Sequence, residues 1–145
     1  MTSDVVRVET RGSATIEMAV LAPALLALVG LVLVAGRLST AGSAVEQAAA
    51  AAAREASLAR DGRSAQVAAK EAVRTSLDGQ GVTCRTLTSA VDVDGFTVPV
   101  GQPASVRVHV SCAVPLSDVA VPGMPGTRIV TASMTSTIDR FRGRS

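Results

Sequence analysis

Met18-Ala19-Val20-Leu21-Ala22-Pro23-Ala24-Leu25-Leu26-Ala27-Leu28-Val29-Gly30-Leu31-Val32-Leu33-Val34-Ala35-Gly36 carries no charge, and its reading decides the architecture of the 145-residue chain. As a helix the run rises about 28 Å, close to the hydrocarbon thickness of a bilayer. Its six leucines and four valines each favour insertion by roughly 0.3–0.6 kcal/mol. Pro23 and Gly30 would weaken a helix in water, whereas membrane helices tolerate both. Pro23 also lacks an amide N–H, so the reading places a helix kink there. A buried core helix is the soluble alternative. It needs apolar side chains to wrap it on all sides, and the aromatic inventory is only Phe96 and Phe141, with no Trp and no Tyr. A cleaved secretory signal is a second alternative, with Arg7 and Arg11 as its charged region and Val34-Ala35-Gly36 as its small-residue exit. The run is longer than such signals and the sequence beyond it continues as helix, which favours an uncleaved single-pass anchor. Arg7 and Arg11 on one side are balanced by Arg37 and Arg54 on the other, so flanking charge leaves orientation open.

Working outward, Leu38, Ala41, Val45, Ala48, Ala49 and Ala52 fall on one helical stripe in an alanine-rich segment. One helix from about Ser13 to Ala59 is expected, about 70 Å long. Arg60-Asp61-Gly62-Arg63-Ser64 breaks it. Ser64 is placed to cap a second helix over Ala65–Leu77, with Val67, Ala68, Ala72 and Val73 as its apolar positions and Lys70, Glu71 and Arg74 as polar ones. Asp78-Gly79-Gln80-Gly81 ends it. The period then becomes two. Val82–Thr86, Ser105–Val114 and Thr127–Ile138 read as strands, separated by turn signals at Asp94-Gly95, Val100-Gly101-Gln102-Pro103 and Pro122-Gly123-Met124-Pro125-Gly126. The expected fold class is α+β: an N-terminal transmembrane helix continuing into a long helix, a second helix, then a small antiparallel β-sheet.

In the central strand Val106, Val108, Val110, Cys112 and Val114 share one face, and Arg107, His109 and Ser111 share the other. Cys84 shares a face with Val82, so both thiols point coreward from different strands. A disulfide between Cys84 and Cys112 would close a loop of about 29 residues and add ~3.5 kcal/mol. It would also place the C-terminal part in an oxidising, extracytoplasmic compartment. Two buried free thiols are the alternative.

No catalytic residues emerge. Cys112 and His109, three apart on a strand, leave opposite faces. One His and two Cys without close spacing make no metal site, and no cofactor is indicated. His109 reads as a surface residue, and Asp92 and Asp94 as a solvated turn edge rather than a cation site. A net charge of +2 with 14 dispersed Lys and Arg argues against nucleic acid as a partner, and nothing suggests a small-molecule substrate. Arg140, Arg142 and Arg144 form a basic tail, read as solvated.

Arg11-Gly12-Ser13-Ala14-Thr15-Ile16-Glu17-Met18 precedes the apolar run. A glycine followed five residues later by glutamate and then an apolar helix resembles the prepilin-peptidase motif of type IV pilin-like proteins. Over residues 11–55 the longer pattern, with Ala19, Pro23 and the Gly36-Arg37 exit, resembles the TadE family of pilus-assembly proteins. GVTCRTL and SCAVPLSD further on more loosely resemble actinobacterial members. The resemblance implies a pilin-like minor component of the tight-adherence (Flp-type) pilus. It implies a peptidase cut between Gly12 and Ser13, and Glu17 as the acidic position that pairs with the freed α-amine of a neighbouring subunit. The chain then divides into a cytoplasmic leader (1–12), a transmembrane helix (13–37) and an extracytoplasmic α+β domain (38–145). Implied partners are the prepilin peptidase, the assembly platform, other pilin-like subunits and membrane lipid. The expected role is structural, not enzymatic, at the cell membrane with the N-terminus cytoplasmic. The competing reading is an unprocessed, membrane-anchored extracytoplasmic binding module.

Overall fold

The computed structural model describes residues 11–119 and 125–141, with side chains from residue 17 onward except those of 118 and 119. The chain order is helix α1 (Arg11–Leu58), helix α2 (Gly62–Gly79), strand β1 (Thr86–Asp92), a 3-10 turn (Asp94–Thr97), strand β2 (Ala104–Pro115), a single helical turn α3 (Leu116–Val119) and strand β3 (Thr127–Ile138). The expected α+β class holds: one long helix with a strongly apolar N-terminal half, a second helix, and a three-stranded antiparallel sheet in the order β1-β2-β3.

α1 has 48 residues, about 72 Å of helix, and its two halves live in different surroundings. Every position from Glu17 to Leu33 is exposed, whereas Ala41, Ala44, Val45, Ala48, Ala49, Ala52, Ala53 and Ala56 are buried. The buried stripe is wider than the one expected from sequence because α1 packs against α2 on one side and against β2 and β3 on another. Alanine suits a helix contacted on two sides. It is the best helix former and its single methyl lets neighbouring backbones approach closely. α1 runs uninterrupted through Pro23. The missing N–H there leaves the Ala19 carbonyl without its helical donor, a loss that a helix in hydrocarbon meets by local adjustment.

α2 begins earlier than the sequence reading placed it, and its cap is Asp61, not Ser64. The Asp61 carboxylate accepts the Ser64 N–H at 2.9 Å and the Ser64 hydroxyl at 2.9 Å, while the Asp61 N–H reaches back to Ser64 Oγ at 3.4 Å. Ser64 is therefore the third residue of a capping box. The buried stripe of α2 is Ala65, Ala69, Val73 and Leu77. Val67, one of the apolar positions, is 65% exposed. The arc of α2 that meets α1 takes one apolar residue in every four: Ala65 and Ala69, then Val73 and Leu77.

The first strand is also shifted. Val82–Arg85 is not strand: the Val82 N–H closes the end of α2 on the Leu77 carbonyl at 3.0 Å, after Gly81 turns the chain with φ +66°. Pairing begins where the Arg85 N–H meets the Ala113 carbonyl at 2.8 Å and continues from Thr86↔Ala113 to Asp92↔Arg107. The other two strands lie where the period-two pattern put them, paired without interruption from Ala104↔Ile138 to Pro115↔Thr127. Val106, Val108, Val110, Cys112 and Val114 are buried against α1 and its neighbours, and Arg107 and His109 are exposed. Residues 122–124 of the expected turn and residues 142 and 144 of the basic tail lie outside the described residues.

Gly95 sits where only glycine fits. A Cβ there would run into the Ser105 carbonyl oxygen, with Ile138 Cδ1 at 3.1 Å behind it. Gly95→Ala is expected to destabilise the domain by about 1–3 kcal/mol, read as a lowered unfolding midpoint of the full chain in detergent. The hydrogen bonds from Ser64 hold the Asp61 carboxyl below the usual carboxylate range. A lowered folded pKa stabilises above the unfolded value and is lost as pH falls through the folded one. Asp61→Asn should therefore melt earlier than wild type at neutral pH, and the gap should close below about pH 4.

Candidate functional site: the N-terminal segment and the membrane-to-domain helix

Gly12 and Ser13 lie in the first turn of α1. Ser13 and Glu17 are four residues apart in the same helix, hence neighbours on one face. Glu17 is exposed, immediately before the side chains become continuously apolar.

Beyond Glu17 the exposed surface is almost entirely hydrocarbon. Leu26 is 74% exposed, and Leu21, Leu25, Leu28, Leu31 and Leu33 are each about half exposed or more. Each would be worth roughly 1.5–3 kcal/mol if taken out of water, and among the described residues nothing covers them. The apolar window is unburied throughout and the helix is long enough to cross a bilayer. That is the opposite of a soluble core helix, and it suggests membrane anchoring through this one helix. The anchor passes without a break into the buried stripe that begins at Ala41.

Around the sheet, Cys84 and Cys112 form a disulfide, with Cα atoms 5.3 Å apart and 28 residues apart in sequence. Cys84 reaches it from the segment before β1 rather than from within a strand. The bond ties the exit of α2 to the buried face of β2. His109 is exposed on the outer face, with Ala90 and Ser133 as its cross-strand neighbours. Asp92 Oδ1 accepts the Asp94 N–H at 3.1 Å, a turn closure. Among the described residues no group of three or more His, Cys, Asp or Glu is placed to hold a metal. Sequence reasoning missed one polar tie. Ser57, nearly buried, donates to the Arg54 carbonyl at 2.7 Å and accepts from the Ser136 hydroxyl at 3.1 Å, joining the end of α1 to β3. Two serines 79 residues apart leave no local signal.

With this geometry in place, residues 12–54 match the family model described as TadE-like protein. The match starts at Gly12, spans the apolar run and ends within the buried alanine stripe, so it covers both halves of α1. This segment is TadE-like, and the likeness extends over residues 12–54. No curated protein and no solved structure matched the chain.

Reducing the disulfide should lower stability by about 3.5 kcal/mol. Unfolding curves of the full chain in detergent, with and without a thiol reductant, measure this directly, and Cys84→Ser/Cys112→Ser should reproduce the reduced curve.

Proposed function

We propose that the protein is a pilin-like minor component of a tight-adherence (Flp-type) pilus, made as a precursor, cut by a prepilin peptidase between Gly12 and Ser13, and held in the membrane by α1. The observation that carries this reading is the single helix of 48 residues, whose TadE-like segment joins an unburied apolar half to a small disulfide-tied α+β head. Residues 1–12 are the cytoplasmic leader, 13–37 cross the membrane, and 38–145 form the extracytoplasmic domain, where the disulfide is at home. The role is structural rather than enzymatic.

The cut creates an α-amine at Ser13 on the same helical face as Glu17. A carboxylate at the edge of an apolar helix is costly to move inward alone. Paired with the amine of a neighbouring pilin-like subunit, it loses much of that penalty. Association through this pair would bring the chain to the assembly platform and to other subunits.

Protein extracted from its native membranes without reductant should begin at Ser13 and be two hydrogens lighter than the reduced form, as read by intact mass. Gly12→Ala should leave the chain beginning near Met1. A wild-type chain still carrying residues 1–12 would overturn the processed pilin-like reading and leave a plain membrane-anchored binding module.

A further inference from the structure

α1 fixes how far the domain stands from the bilayer. In the apolar run the last large, well-exposed side chain is Leu33, and the first packed against the domain core is Leu38. Five residues of helix are about 7.5 Å. The polar layer on each side of a hydrocarbon core is roughly 5–8 Å deep. The domain therefore starts inside or directly on the headgroups, so one end of it must be built for that surface.

The residues at that end are set by the fold. α2 runs back along α1 and finishes there, so Gln80, Gly81 and Val82 share one recess with Arg37, Ala41 and Val114. Val114 is the hub of this end. β3 places Arg128 directly opposite it. The register of β1 on β2, run one residue further, places Arg85 on its other side, consistent with the Arg85 N–H bond to the Ala113 carbonyl. Arg37, Arg85 and Arg128 thus come from three separate segments to one level of the molecule, and all three are exposed. Next to Arg128, Ile129 is 66% exposed. The acidic residues on elements of this end are Asp78 and Asp118.

We propose that this end of the domain is a lipid-docking surface, in which Arg37, Arg85 and Arg128 bind the phosphates of anionic phospholipids while Ile129 dips into the interface. Guanidinium groups match phosphate oxygens in a forked geometry that a lone ammonium cannot. Basic residues near an anionic leaflet each add attraction that is screened by salt. An isoleucine beside them has apolar area to lose to the lipid. Docking fixes the tilt of the domain on the bilayer, and α1 carries that tilt into its membrane half without a break. The inference rests on the reading of α1 as a membrane span.

The chain has no Trp, so Ile129→Trp installs a single indole at this surface, and Phe141→Trp installs one at the opposite end, where Phe141 is 86% exposed. Both full-length variants are reconstituted in nanodiscs of zwitterionic lipid alone or with roughly one-third phosphatidylglycerol. In the anionic discs the Ile129→Trp emission should shift to the blue. Its quenching by headgroup-proximal spin-labelled lipid should rise at least about twofold. Adding Arg85→Gln and Arg128→Gln, or raising salt to about 1 M where the Debye length is about 3 Å, should remove both effects. Phe141→Trp should report water throughout. Identical Ile129→Trp spectra in the two lipids, or a shift indifferent to salt, would overturn the docking surface. The salt arm decides the matter even if the double arginine variant folds poorly. Extraction of the wild-type chain from membranes by alkaline carbonate would instead overturn the membrane span itself.

Discussion

The rest of the structure depends on one constraint: α1 must be stable in two solvents at once. In its first half, leucine and valine side chains face outward with nothing from the chain to cover them, which is favourable only in hydrocarbon. In its second half, eight buried alanine and valine positions let α2 and two strands close directly on the helix backbone. The change occurs over Gly36–Thr40 with no break in hydrogen bonding, since the Thr40 hydroxyl itself bonds back to the Gly36 carbonyl at 3.0 Å. A continuous rod lets the membrane half dictate where the domain half sits. A flexible joint there would decouple the two.

A core made of Ala and Val has little area per residue, so this domain draws on other devices. The Cys84–Cys112 bond restricts the unfolded chain. The Asp61–Ser64 box satisfies the start of α2, and the Ser57–Ser136 contact pins the end of α1 to the sheet. Gly95 lets the 3-10 turn lie against the Ser105 backbone, where any side chain would hold the segments apart. Each device lies near a place where α1, α2 or a strand changes direction, which is where a core of small side chains gives least support.

Periodicity made α1, β2 and β3 legible in the sequence because each is long and keeps one pattern throughout. Val106 to Val114 alternates over a whole strand, and a single-residue slip would have put every valine in water. The arc of α2 was harder to read. The D-x-x-S pattern at Asp61 was the available signal that the cap lay three residues before Ser64. β1 was displaced because Val82 has strand-like neighbours but spends its N–H on α2. In the N-terminal segment, the spacing of Gly12, Glu17 and Pro23 was readable from sequence. That Ser13 and Glu17 lie one turn apart follows once α1 is known to include both. The gathering of Arg37, Arg85 and Arg128 was invisible, because it depends on strand register and on the antiparallel return of α2.

β3 closes one side of the sheet as an edge of twelve residues without proline, unpaired among the described residues, the kind of edge that invites pairing with a second copy. Two such edges can pair symmetrically and antiparallel only about a two-fold axis normal to the sheet. α1 lies along one face of that sheet, so the same rotation would point the two α1 helices in opposite directions. Copies anchored in one bilayer from the same side cannot adopt that arrangement. The anchor thus protects the β3 edge from self-association by symmetry alone, with no blocking charge or bulge needed, and that protection lasts only while α1 remains embedded.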